Sequence, residues 1–112
     1  MAVGDRVEKR VGGPTAMSSN SASPTTFTVP ASRQWTTKQV VFTNTNGVDA
    51  LVYFSIGAIG TVGNRIFNAL PITAYDTIVY DTAMVAEATE TFQCYADRSG
   101  VNVTVVGWEK EV

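Results

Sequence analysis

The second half of this chain, and most of the first, repeats one pattern. Short segments rich in β-branched and aromatic residues are followed by turn signals such as Pro30, Asn46-Gly47 and Ser99-Gly100. These signals recur about every 8–12 residues, which is typical of all-β proteins. The pattern predicts an all-β fold, an antiparallel β-sandwich that is jelly-roll-like and has seven to eight short strands.

Local patterns place the strands and their buried faces. Asn46-Gly47 predicts a two-residue hairpin turn, because both central positions of a type I′ turn need a positive φ. Alternation along the segments assigns the five phenylalanines to the core. It also directs Val101, Val103 and Val105 to one face of the last strand. The predicted strands cover residues 25–29, 37–45, 48–57, 65–70, 72–81, 90–97 and 101–109.

The first 24 residues differ from the rest of the chain. Five charged residues lie within positions 5–10, and Val3, Val7 and Val11 recur at a spacing of four. A short helix that ends before Gly12-Gly13-Pro14 and an extended arm both fit this segment. We therefore predict an N-terminal arm over residues 1–24 and a β-sandwich domain over residues 25–112. The arm packs either on its own domain or on a neighbouring subunit.

Composition limits the possible functions. The chain has 112 residues, a net charge of −2 and only 16% charged residues. An acidic chain has no bulk attraction to nucleic acid or to an anionic membrane, so we expect neither partner. No apolar run approaches the roughly 20 residues of a membrane span. The first residues do not resemble a secretory signal, so we expect synthesis in the cytoplasm.

The residues that carry enzyme chemistry are scarce. The sequence has no His and a single Cys, so neither a Ser-His-Asp nor a Cys-His arrangement can form. Cys94 alternates with Phe92 and Ala96, which predicts a small buried side chain. We expect no enzymatic activity, no catalytic residues and no cofactor.

One acidic segment needs separate consideration as a metal site. Asp76, Asp81, Glu87 and Glu90 could meet at a sandwich edge and hold Ca²⁺, as a metal-dependent hydrolase would require. Their spacing matches no calcium loop. Solubility and protection of the sheet edge explain the same residues. We therefore expect no metal site.

Two tryptophans are candidates for an interaction surface. Trp35 lies in a polar stretch and Trp108 lies near the C-terminus. Exposed Trp and Tyr side chains are typical interface anchors and also typical sugar-binding platforms. A place in the core explains them equally well. The predicted partner interface comprises Val3, Val7, Val11, Met17, Trp35 and Trp108.

Several short motifs, taken in order, resemble a group of small structural proteins from the virions of tailed bacteriophages, especially those of actinobacteria. The resemblance runs from about residue 10 to residue 109. The matching pieces cover residues 13–17, 26–31, 40–45, 55–57, 95–96, 100–105 and 107–109. The chain departs from the group at Thr89-Glu90-Thr91, where the usual sequence is Gly-Asp-Thr, and at residues 72–76.

The resemblance implies a non-enzymatic β-sandwich subunit of the virion, either a minor tail (tail-tip) protein or a capsid decoration protein. Its expected partners are further copies of itself, in a trimer or another cyclic assembly, and other virion proteins. The alternative is a carbohydrate-binding module that contributes to attachment at a host-surface glycan, with exposed Trp and Tyr side chains as its platform.

Overall fold

The computed structural model describes residues 5–112. This part of the chain forms nine β-strands and one short 3-10 helix, Val62–Asn64. The strands are β1 (Arg6–Ala16), β2 (Thr25–Thr28), β3 (Arg33–Asn44), β4 (Ala50–Ile56), β5 (Arg65–Ile72), β6 (Thr77–Tyr80), β7 (Val85–Ala86), β8 (Thr91–Ala96) and β9 (Val101–Glu111).

The strands form two antiparallel sheets that pack face to face. The first sheet has the order β1-β9-β3-β6, with β7 also paired to β3, and the second has the order β2-β8-β4-β5. Early strands pair with late ones: β1 with β9, β2 with β8, β3 with β6 and β4 with β5. This nested pairing is the jelly roll. The predicted fold class is therefore confirmed, although three strands are long, with 11 or 12 residues each.

The predicted hairpin at Asn46-Gly47 is wrong. β3 belongs to the first sheet and β4 to the second, so the chain crosses between sheets at this turn. Asn44 is 1% exposed, and its Nδ2 donates to the carbonyl oxygens of Val48 and Ile72. These bonds hold the crossing in place. The local turn signal is correct in position, but it cannot specify which strands pair.

The predicted strand over residues 72–81 is also divided. Ile72 ends β5, and a turn through Tyr75, whose φ is 59°, separates it from β6. β3 begins at Arg33, four residues before the predicted start at 37, and it therefore contains Trp35.

The core lies between the sheets and follows the predicted alternation. Val101, Val103 and Val105 are fully buried, as are Phe42, Phe54 and Phe92. The other two phenylalanines, Phe27 and Phe67, are partly buried against this core. The rings of Phe42, Phe54 and Phe67 meet edge to face, with centroids 5.7–6.2 Å apart. Such pairs add specificity to the burial of apolar area.

The arm segment is extended, and the helical alternative is wrong for residues 6–16. β1 pairs with β9 along its length, from Arg6 opposite Lys110 to Ala16 opposite Asn102. Val11 and the following Met17 are buried. The described part of the arm therefore packs on its own domain, because its apolar side chains complete that domain's core.

Candidate interaction site

The residues of the predicted partner interface fall into three groups. Val11, Met17 and Trp35 are at most 8% exposed, so they serve the core of their own chain. Val7 is 46% exposed, and Trp108 is partly exposed on the outer face of the first sheet. Val3 lies outside the described residues. Val7 and Trp108 are thus the accessible members among the described residues, but the structure does not bring them together. Val7 lies opposite Glu109 and Trp108 opposite Glu8, so their side chains point to opposite faces of the first sheet.

Trp35 is buried because its indole N–H has a partner inside the fold. Its Nε1 donates a 2.9 Å hydrogen bond to Oε2 of Glu109, and its ring stacks on Phe92 with centroids 6.1 Å apart. Lys9 Nζ lies 3.1 Å from the same carboxylate oxygen, and Arg33 Nε lies 3.5 Å from the other. A buried polar group is tolerated when it is paired in this way.

The environment of Glu109 stabilises its charged form. The hydrogen bond from Trp35 lowers the pKa of Glu109 below its ordinary value, whereas desolvation by burial opposes this. The hydrogen bond and charge of Lys9 and the charge of Arg33 lower the pKa further. This carboxylate therefore joins β9, β1 and β3 at one end of the sandwich.

Trp108 is flanked by cations on the outer face of the first sheet. The guanidinium of Arg6 lies 5.6 Å from the ring centroid, and Lys38 Nζ lies 5.7 Å from it. Lys38 also contacts Glu8 Oε1 at 3.1 Å. Because Arg6 and Lys38 lie over the Trp108 ring, a sugar would have to compete with these cations to stack on the face that they cover.

A second aromatic pair lies on the outer face of the second sheet, where sequence reasoning named no residue. Tyr53 and Tyr95 stack with centroids 4.4 Å apart and planes 6° apart, and the Arg65 guanidinium lies 5.1 Å from the Tyr53 centroid. The two rings thus cover one face of each other. Their identity as a pair could not be read from the sequence, because it depends on β4 and β8 being neighbours.

The acidic residues considered for calcium bind neighbouring groups of their own chain. Asp81 accepts from Gln39 Nε2, and Glu87 accepts from Gln34 Nε2. The other two accept from backbone N–H groups: Asp76 from Thr77 and Glu90 from Glu87. Within residues 5–112 no three His, Cys, Asp or Glu side chains are placed to hold a metal ion together.

Cys94 is a core residue, as predicted. It is fully buried, and burial raises the pKa of its thiol to about 12. A thiol with such a pKa is overwhelmingly protonated near neutral pH and is a poor nucleophile.

The two ends of the first sheet differ in charge. Residues 6–10 of β1, here called the basic edge, carry three positive charges and one negative charge. The opposite end, residues 76–87, here called the acidic edge, contains β6 and β7 and carries three carboxylates with no Lys or Arg. No further described strand pairs with either end. The sequence shows both charge clusters, but only the strand order shows that they end the same sheet.

Known proteins give only distant similarities. A scan of protein-family models finds no match, and a search of curated proteins finds none either. Among solved structures, the Drosophila NLP core, studied for pentamer formation and histone binding, shares 11% identity at a TM-score of 0.49. That alignment covers 96% of this chain and 97% of that one. The tobacco streak virus coat protein shares 10% identity at a TM-score of 0.48, with 96% and 86% covered. We transfer neither function nor partner at this level of similarity.

Proposed function

We propose that this chain is a non-enzymatic structural subunit of a bacteriophage virion. It forms a homo-oligomer on the particle surface, as a minor tail protein or as a capsid decoration protein. The observation that carries the proposal is the nested jelly-roll pairing of the strands. This architecture recurs in viral capsid domains and also in lectins. The ordered motifs that resemble phage virion proteins favour the first of these two classes.

The use of the polar side chains supports a structural role. Glu109, Asn44 and Thr37 are buried, and each bonds groups of other strands or of the connecting segments. Such bonds fix the shape of the subunit. A particle component needs this rigidity, because its neighbours must find the same surface on every copy. Among residues 5–112, no helix has the length and apolar character needed to cross a membrane.

The proposal is tested in particles of the phage that encodes the chain. Mass spectrometry of density-purified particles should detect the chain at a fixed ratio to the major capsid protein. Immunogold labelling then separates a tail position from a head position. A nonstructural protein of the same phage serves as the control and should be absent. Finding the chain in the lysate but not in purified particles would overturn the proposal.

The alternative is a carbohydrate-binding module, and the Tyr53–Tyr95 pair favours it. Tyr95 stacks on one face of Tyr53 and Arg65 lies over the Tyr53 ring, so the ring surface that a sugar can contact is the outer face of Tyr95. A glycan array probed with wild-type protein and with Tyr95→Ala tests this role. Binding that is lost in Tyr95→Ala supports it, and absence of binding by the wild type rejects it.

A further inference from the structure

The two free ends of the first sheet run in opposite directions. β1 is antiparallel to β9, β9 to β3, and β3 to both β6 and β7. Consequently β1 points one way and the strands of the acidic edge point the other way. A second copy can be placed beside the first by rotation about an axis parallel to the strands. The β1 strand of the second copy then lies antiparallel to β6 of the first copy. Antiparallel neighbours form the more stable ladder.

Charge favours contact between unlike edges. The basic edge is net positive and the acidic edge carries three negative charges. Charged residues on an edge strand ordinarily keep copies apart, because like edges repel. Here the signs differ between the two ends of one sheet. Contact between the basic edge of one copy and the acidic edge of another therefore brings opposite charges together. Charge complementarity of this kind guides both the encounter of the two copies and the register of their strands.

Both edges also carry exposed apolar side chains. Val7 on the basic edge is 46% exposed, and Val79 and Val85 on the acidic edge are 50% and 48% exposed. These are three of the eight large hydrophobic side chains that are exposed among the described residues. Edge-to-edge contact would remove part of this apolar area from water.

The alternation of the two edges selects a register. Arg6 and Glu8 lie on the outer face of β1, on the side of Trp108, while Val79 lies on the outer face of β6. Setting Glu8 opposite Val79 keeps outer side chains together and places Arg6 opposite Asp81. A shift of two residues one way would set Glu8 against Asp81, which is unfavourable. A shift of two residues in the opposite direction would separate Arg6 from Asp81.

We propose that the basic edge of one copy pairs with the acidic edge of the next, with Arg6 opposite Asp81. The first sheet then continues from subunit to subunit, and repetition of the same contact closes a ring. This inference rests on the homo-oligomeric subunit proposed above. The partner is a second copy of this chain, and the surface is the pair of edges that end the first sheet.

A two-fold arrangement of β1 against β1 is the competing geometry. Centred on Val7, it sets Arg6 opposite Glu8, which is also a favourable charge pair. It nevertheless joins two edges that are both net positive, and it leaves Val79 uncovered. The two arrangements place different residues opposite each other, so cross-linking separates them.

The test uses a variant with two new cysteines, Glu8→Cys and Val79→Cys, in the full chain. Both positions are exposed, whereas Cys94 is fully buried and should not react. A short bismaleimide should give a ladder of covalent oligomers that ends at the ring size. The single variants should stay monomeric after treatment. Glu8→Cys combined with Val48→Cys, whose native Val48 side chain is 51% exposed, is the off-register control.

Charge exchange gives an independent readout. In sedimentation experiments, Asp81→Asn should weaken association roughly twofold to fivefold, the range that an exposed ion pair supplies. The charge reversal Asp81→Arg should weaken it further, because two positive charges then lie opposite each other. Combining Asp81→Arg with Arg6→Asp should restore association. Covalent dimers from Val7→Cys alone would establish the two-fold arrangement and overturn the proposal. A wild type that stays monomeric at all concentrations would also overturn it.

The outcomes distinguish this inference from the function on which it rests. A chain present in purified particles without the Glu8–Val79 cross-link leaves the virion role standing and removes the edge contact. A cross-linked ring that is absent from particles supports the edge contact and overturns the virion role.

Discussion

The Trp35 indole and the Glu109 carboxylate are 74 positions apart in sequence and meet in a 2.9 Å hydrogen bond at one end of the core. This bond explains two features together. A tryptophan from a polar stretch is buried because its N–H has an acceptor, and a carboxylate is buried because three groups donate to it or neutralise it. The pair therefore closes the end of the sandwich where apolar side chains give way to charged ones.

Removing the acceptor should destabilise the fold. Glu109→Ala leaves the buried indole N–H without a partner, which costs about 1–3 kcal/mol of unfolding free energy. In a Trp35→Phe background the same substitution should cost less, because no buried indole N–H is then left unpaired. Urea unfolding of the four proteins at pH 7 measures this coupling.

The control for this cycle is an exposed ion pair. Glu8 contacts Lys38 with both side chains more than half exposed, so Glu8→Ala should cost at most about 1 kcal/mol. Strictly additive effects of Glu109→Ala and Trp35→Phe would contradict the role given to the bond.

Stability should fall with acid through Glu109. Its pKa in the folded protein is lowered, whereas in the unfolded chain it is about 4.3. Near this pH the unfolded chain binds more protons than the folded one, so unfolding becomes easier as the pH falls through 4.3 towards the folded value. Above about pH 6 the contribution is complete.

The matching variant is Glu109→Gln, which cannot titrate. The difference in unfolding free energy between wild type and this variant should be largest at pH 7 and should shrink by pH 3. A Glu109→Gln difference that is independent of pH would show that the carboxylate does not contribute through its charge.

Cys94 should resist thiol reagents in the folded protein. It is fully buried, and its thiol pKa of about 12 leaves almost no thiolate at pH 8. An aromatic disulfide reagent should react with it only after unfolding in guanidinium. A Val48→Cys variant provides the comparison, because the native Val48 is 51% exposed. Equal rates at the two positions in the native state would contradict the burial of Cys94.

The sequence predicts those features that depend on local pattern. Alternation correctly identifies the inner face of Val101, Val103 and Val105, because side chains along a strand alternate wherever the strand pairs. It fails where a long-range partner decides the outcome. Asn44 is buried because it bonds to carbonyls of Val48 and Ile72, and no local pattern reveals that the chain changes sheets there.

The same limit applies to the candidate site. The clusters of positive and negative charge are visible in the sequence, but their places at opposite ends of one sheet follow from the strand order alone. Trp35 shows the converse, because the sequence leaves exposure and burial equally open for it, and the acceptor that decides for burial lies in the last strand. The sequence shows which charged and aromatic residues are present, but only the fold shows which of them are neighbours in space.

Removing β1 should destabilise the sandwich and not merely detach an arm. Deletion of residues 1–16 takes away the strand paired with β9, together with buried Val11 and the Lys9–Glu109 contact. We expect a loss of at least about 3 kcal/mol in unfolding free energy, the scale of removing a large buried side chain. Deletion of residues 1–4, which keeps all of β1, is the control. If the longer deletion unfolds at the same urea concentration as the control, residues 6–16 are an independent arm, and their pairing with β9 contributes little to the domain.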